Sequence, residues 1–196
     1  MKRLKLGASR LEAVAAEAAK VLKAGGVVLS PTDTVYGLLS DATNPGAVKK
    51  VYAIKQRNAK KPLPFFVKNM RSAKKLAMIG KKEEKILTAA WPGKTTFVLE
   101  LKPDAVIFGS GNGTIALRIP CLPFLDTVLG LVGFPLSATS ANRAGQPAST
   151  NINDVLKQFD STALPDLVID AGILPESKPS TIIDLAGKSK KILRHG

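Results

Sequence analysis

The sequence predicts an α/β fold: one domain built on a twisted, largely mixed β-sheet with helices on its flanks. Three observations lead there. Short β-branched and apolar runs alternate along the chain with segments of helical periodicity, the pattern that sets helices against a sheet. A length of 196 residues, 45% of them apolar, with mean hydropathy near zero, suits a single core of ordinary size. No internal repeat, linker or low-complexity stretch divides residues 1–196 into more than one domain.

Each element has a local reason. Ser9 and Glu12 have capping-box spacing ahead of LEAVAAEAAKVLKAGG. Leu11, Val14, Ala15, Ala18, Val21 and Leu22 then repeat at helical intervals until Gly25 and Gly26 stop the helix. VVLS reads as a short buried strand ending at Pro31, and TDTVYG as the loop that leaves it. Asn44-Pro45 is an N-cap and first-turn pair for a helix through AVKKVYAIK, which delivers Lys55 and Arg57 at its exit. KKEEKILTAAW is a helix closed by Pro92-Gly93, KTTFVLELK an alternating strand, and FGSGNG a bend leading into the strand TIALRIP. Next come a helix in CLPFLDTVLGLVG, a strand in PLSATS, a helix in INDVLKQF and a strand in DLVIDAG. TIIDLAG and KKILRHG form a closing hairpin.

Composition narrows the chemistry. One cysteine, Cys121, and one histidine, His195, supply neither an internal disulfide nor a structural zinc site. Cys121 reads as a small buried hydrophobe. No apolar run approaches the roughly 18 residues of a membrane span, and MKRLKLGASRLEAVAAEAAK lacks a continuous apolar signal core, so a cytoplasmic protein without membrane contact is expected. Charge is the strongest compositional signal: 29 Lys and Arg against 15 Asp and Glu leave +14. From Lys49 to Lys85 there are 13 basic residues and two acidic ones, a field that attracts nucleic acid, nucleotide triphosphate or an acidic partner. Only 5% of residues are aromatic, so these cations lack the interleaved rings of an RNA-stacking surface.

Among local motifs, PLSATSAN at 135–142 gathers Ser137, Thr139, Ser140 and Asn142 where a strand finishes. It reads as a polar turn or as a strand end facing a ligand. GSGNG at 109–113 lacks the Gly-Lys-Ser/Thr ending of a phosphate loop and opens no helix, which makes it a structural turn. Asp33, Asp170 and Asp184 are scattered among strand ends as turn or cap residues. No catalytic carboxylate pair, Ser/His/Asp set or Cys/His pair is recognisable. An enzyme built from these residues works by charge stabilisation and positioning more than by acid–base groups.

Nearly end to end, the ordered motifs resemble the YrdC-type threonylcarbamoyl-AMP synthases. The resemblance lies in SPTDTVYGL at 30–38, the KxR element of YAIKQR with KPL after it, WPGKTTFVL at 91–99, TIALRIP at 114–120, the SxN element of SATSANRAGQP, and PSTIIDL closing into ILRHG. It implies a YrdC-like α/β fold with an open, basic cavity, without room for the extra C-terminal domain of longer members. The implied enzyme is a nucleotidyltransferase that joins L-threonine and bicarbonate or carbon dioxide as a carbamate, which attacks the α-phosphate of ATP. Mg²⁺ accompanies the ATP, pyrophosphate leaves, and the product serves threonylcarbamoyladenosine formation on tRNA.

The resemblance also implies residue roles. Lys55, Arg57, Ser140 and Asn142 are the catalytic set; Arg57, Lys61, Thr114, Ser140, Ala148 and Arg194 bind ATP; Thr34, Arg118, Ala138 and Ser180 bind threonine, with Arg118 as the carboxylate clamp. No protein metal site is implied. Two positions depart from the family pattern: Asn58 follows the KxR arginine where Pro is common, and Phe66 stands where longer members have a threonine-contacting His. Whether Phe66 touches threonine is left open. A tRNA-modifying threonylcarbamoyltransferase complex is the implied recipient of the product. An RNA-binding protein of the same fold without synthase activity is the alternative.

Overall fold

From the amino terminus the chain runs through β1 (Lys2–Lys5), α1 (Leu11–Lys23), β2 (Val28–Ser30), β3 (Gly37–Asp41), α2 (Pro45–Lys55), β4 (Pro64–Phe66), α3 (Met70–Leu76) and α4 (Lys81–Ala90). It continues through β5 (Thr95–Glu100), β6 (Thr114–Arg118), α5 (Pro123–Val132), β7 (Leu136–Ser140), α6 (Ile152–Lys157), β8 (Leu167–Asp170), β9 (Thr181–Asp184) and β10 (Lys191–Arg194). The computed structural model describes residues 1–159, 163–187 and 189–196.

The described strands form one sheet in the order β1-β8-β2-β3-β7-β4-β6-β5-β9-β10. It is mixed: β8 runs parallel to both β1 and β2, β4 to β6 and β5 to β9, while the β2–β3, β3–β7, β4–β7, β5–β6 and β9–β10 pairs are antiparallel.

Strand alternation divides the core by face. Leu38, Phe65, Phe97, Leu99, Ile115 and Leu117 point to one side, where Val48, Val51 and Tyr52 of α2, Ala73 of α3, Leu87 of α4 and Ile152 and Val155 of α6 cover them. Leu39, Phe66, Leu136, Ala138, Leu167 and Ile169 point to the other, where they pack with Val14, Ala18 and Leu22 of α1 and Phe124, Val128 and Leu129 of α5. Helix α1 lies against α5, β2, β3 and β8. This second face is therefore helix-covered at one end of the sheet only, and a cavity lies over β3, β7, β4, β6, β5 and β9.

Several local expectations hold. Asn44 caps α2, its side chain accepting from the backbone N–H groups of Gly46 and Ala47, and Gly25 leaves α1 at φ +74°. Others do not. Ser9 lies inside a 3-10 turn (Ala8–Arg10), so α1 starts after Arg10 without a side-chain cap. Strands β1, β3 and β4 and helix α3 were not legible from pattern. Cys121 is exposed rather than buried, because it sits in the connection between β6 and α5. No described helix is long and apolar enough to cross a membrane.

Candidate active site

The cavity, about 290 Å³ in volume, is floored by the uncovered half of the sheet. Leu39, Phe66, Val98, Ala116, Ala138 and Ile182 make it largely apolar. Polar groups enter from strand ends and loops: Thr34, Thr96, Ser140 and Ser180, with the guanidinium groups of Arg57, Arg118 and Arg194. Close approach of β3 to its neighbours shapes the wall at Gly37, where a Cβ would meet Thr32 Cγ2 at 3.2 Å and the Thr139 carbonyl at 3.3 Å.

Of the residues expected to bind ligands, Thr34, Arg57, Arg118, Ala138, Ser140, Ser180 and Arg194 line this one space. Thr34 comes from a loop stitched by its own hydroxyls: Thr32 Oγ1 lies 3.0 Å from Thr34 Oγ1, accepts from the Thr34 backbone N–H at 3.0 Å, and donates to the Val35 carbonyl at 2.6 Å. Arg194, near the chain end, reaches back to Ser180, its Nε and Nη2 donating to the Ser180 carbonyl at 2.9 and 2.7 Å. Burial and the charge of Arg118 both lower the Arg194 pKa. Ser180 is held in turn at 3.0 Å from Thr96 Oγ1.

Arg118 sits on β6 with a side chain only 4% exposed. Its Nε donates to the Gly93 carbonyl at 2.8 Å, its Nη2 lies 2.7 Å from Asp33 Oδ1, and its guanidinium stands over the Phe66 ring at 5.6 Å from the centroid. Burial lowers its pKa and Asp33 opposes that shift. Arg57 is set by the end of α2. Gln56 leaves the helix at φ +50°, Arg57 donates from Nη2 to the Pro62 carbonyl at 2.9 Å, and its Nε is buried without a hydrogen-bond partner.

Lys55, Lys61, Thr114, Asn142 and Ala148 do not line the cavity among the described residues. Lys55 and Asn142 lie behind it. The buried Lys55 ammonium donates to the Ser140 carbonyl, to the Asn142 carbonyl at 2.8 Å and to Asn142 Oδ1 at 3.1 Å. Asn142 Oδ1 also accepts from Ser140 Oγ, and its Nδ2 donates to the Arg143 and Gln146 carbonyls at 2.9 and 2.6 Å. Lysine and asparagine thus clamp the loop that presents Ser140. Burial, with the charge of Arg57 added, lowers the Lys55 pKa from 10.5 to about 7. Thr114 shares the face of Ala116 and Arg118 by alternation, at the start of β6. Lys61 is exposed beyond Pro62, its carbonyl accepting from Tyr52 Oη at 2.9 Å. Ala148 is half-buried in the loop whose Ser149 carbonyl accepts from the Tyr36 N–H at 3.3 Å.

In the 135–142 stretch, Ser140 and Thr139 border the cavity, although alternation puts the Thr139 side chain on the far face with Ser137, whose Oγ lies 2.7 Å from Ser40 Oγ. Its hydroxyl is structural. Asp33, read from the sequence as a turn residue, proves to be the buried partner of Arg118. Its place inside TDT, between two loop threonines, gave no sign of that. Among the described residues no group of three or more His, Cys, Asp or Glu is placed to hold a metal ion.

A family model named for Sua5, YciO and YrdC, and described as "Telomere recombination", matches residues 20–196. The chain is 36% identical over 88% of its length to a protein of Methanocaldococcus jannaschii provisionally named threonylcarbamoyl-AMP synthase, of which it covers 80%. It is 33% identical over 92% of its length to threonylcarbamoyl-AMP synthase of Bacillus subtilis, of which it covers 53%. Among solved structures it resembles P. abyssi Sua5 complexed with L-threonine, with a TM-score of 0.87, 31% identity, and coverage of 98% of this chain and 56% of that one. The chain therefore spans about half the length of the Bacillus subtilis and P. abyssi proteins.

Proposed function

The chain belongs to the Sua5/YciO/YrdC family, and on that footing we propose that it is an L-threonylcarbamoyladenylate synthase. One observation supports this reading above the others: a single cavity holds the expected threonine contacts Thr34, Arg118, Ala138 and Ser180 together with the expected nucleotide contacts Arg57, Ser140 and Arg194. The names of relatives add to it.

In the proposed reaction the neutral threonine amine adds to carbon dioxide, derived from bicarbonate, and loses a proton to solvent to give an N-carboxylate. One of its oxygens then attacks the α-phosphorus of ATP; the bond to the bridging oxygen breaks, and pyrophosphate leaves with that electron pair. The attacking oxygen is already anionic, so this step asks for no side-chain base. It asks for positioned cations and for shelter from water. Arg57, whose buried Nε lacks an acceptor, and Arg194 meet the phosphates, and Ser140 Oγ joins them by turning its O–H from Asn142 Oδ1 to a phosphate oxygen. Arg118 pairs with the threonine carboxylate, and Thr34 and Ser180 meet its polar groups. Lys55 and Asn142 act through Ser140 by holding its loop. Mg²⁺ arrives as part of MgATP, since the cavity wall is cationic and Asp33 is already engaged with Arg118. The labile product passes to a tRNA-modifying threonylcarbamoyltransferase.

A pyrophosphate-release assay tests this. Release is expected only with ATP, Mg²⁺, L-threonine and bicarbonate together, and Arg118→Ala is expected to raise the KM for threonine by thirtyfold or more, the scale of about 2 kcal/mol for losing a charge-assisted pair, with ATP binding nearly intact. Release undiminished without threonine refutes the proposal.

A further inference from the structure

The three arginines of the cavity differ in charge balance. Arg57 and Arg194 meet no carboxylate among the described residues: Arg57 donates to the Pro62 carbonyl, and Arg194 to the carbonyl and hydroxyl of Ser180. Arg118 alone is matched. Asp33 Oδ1 stands 2.7 Å from its Nη2, with the two side chains 6% and 4% exposed. The other Asp33 oxygen accepts the Cys121 backbone N–H at 2.9 Å, which fixes the carboxylate in place. Asp33 does not itself line the cavity, so whatever it does there it does through Arg118.

We propose that Asp33 sorts the two anionic substrates of this site, keeping the polyphosphate off Arg118 and reserving that guanidinium for a single carboxylate. The inference rests on the reading of the cavity as a joint amino-acid and nucleoside triphosphate site. A polyphosphate is drawn by the net charge of a subsite, and a carboxylate 2.7 Å from the Arg118 guanidinium weakens the pull of that cation relative to an unpaired arginine. A monocarboxylate depends more on short, directed hydrogen bonds from the guanidinium fork, which Asp33, Gly93 and Phe66 hold in one orientation. The uncompensated charge lies at Arg57 and Arg194, so the triphosphate settles there. Without the Asp33 charge, the buried Arg118 becomes a third uncompensated cation at the cavity, and triphosphate competes with the amino acid for it.

Asp33→Asn keeps the size of the side chain and an oxygen for the Cys121 N–H. The KM for threonine is measured by pyrophosphate release while MgATP is raised from below to far above its own KM, and inorganic triphosphate is tested as an inhibitor. In the unaltered protein the KM for threonine is expected not to rise with MgATP, and inorganic triphosphate not to compete with threonine. In Asp33→Asn the KM for threonine should climb with MgATP, by about tenfold once MgATP reaches about ten times its dissociation constant at Arg118, and inorganic triphosphate should become competitive with threonine. Asp33→Glu, which restores the charge, should return the pattern toward that of the unaltered protein. A raised KM in Asp33→Asn that ignores MgATP means that Asp33 only holds Arg118 in place and overturns the proposal. Competition between inorganic triphosphate and threonine in the unaltered protein overturns it as well, and needs no variant to fold. Pyrophosphate release that never depended on threonine is a separate result, which removes the substrate reading on which the inference stands.

Discussion

Lys55 places an ammonium in the wall behind the cavity with three oxygens around it and no carboxylate among its contacts. Burial costs the charged form more than those acceptors return, hence the drop in pKa from 10.5 to about 7. Between about pH 7 and 10.5 the unfolded chain binds the Lys55 proton while the folded chain has released it, so this residue makes stability rise with pH across that window. Below pH 7 both states are protonated and the penalty is present in full. Thermal unfolding of the wild type and Lys55→Gln from pH 6 to 10 is expected to show the wild type gaining relative to the variant as pH increases; parallel curves would refute the shift. Resemblance to the family made Lys55, Arg57 and Arg118 visible, because its KxR and TIALRIP motifs carry them. It hid Asp33, since an aspartate between two loop threonines looks like any turn residue. It also left Lys55 beside Arg57 in expectation, although one turns inward to the Ser140 loop and the other outward to the cavity. Two residues of sequence separation do not determine which way side chains point once α2 has ended at Gln56.

Elements announced by their ends were legible, and elements defined only by their neighbours were not. Helix α2 begins at Asn44-Pro45, where the asparagine side chain accepts two backbone N–H groups at 2.9 and 3.1 Å. Asn44→Ala is expected to lower stability by about 1 kcal/mol, or roughly 2–4 °C in Tm for a domain of this size, with little change in the KM for either substrate. A loss of catalysis without a fall in Tm would contradict that placement. Strands β2, β5, β6, β7 and β8 carry enough apolar or alternating residues to be read alone. Strand β4 has three residues, and β1 is the charged run KRLK, whose pairing with β8 is what makes it a strand. Strand β3 follows a polar loop without a break in composition, and β2 and β7 on either side draw it into the sheet. Short strands owe their structure to partners far away in sequence, which no local window contains.

The whole molecule separates its positive charge into two populations by means of the sheet. Helices α2, α3 and α4, which carry most of the lysines between residues 49 and 85, pack on the face opposite the cavity. Arg57 lies just past the end of α2, where the chain turns toward the cavity side. Lys74 meets Glu84 at 2.6 Å in an exposed pair, the kind that contributes about 0–1 kcal/mol. Lys81 and Lys82 open α4, where the helix dipole disfavours cations, so neutralising them does not cost the fold much. At physiological salt, exposed charges lose their influence beyond about 8 Å, while a guanidinium in a cavity wall next to a triphosphate is screened far less. Arg57→Ala is therefore expected to reduce turnover by about a hundredfold or more, the scale of removing one electrostatic stabiliser. A quadruple Lys→Gln change at 74, 75, 81 and 82 is expected to leave turnover within about twofold, since each of these charges acts through bulk salt. If the lysine-rich face instead serves RNA, the quadruple change should weaken RNA affinity and its salt dependence while Arg57→Ala leaves both intact. Parallel loss of synthesis in the folded quadruple variant and in Arg57→Ala would place the reaction on the helical face rather than in the cavity. Measuring turnover, RNA affinity and circular dichroism on the same two proteins decides between these.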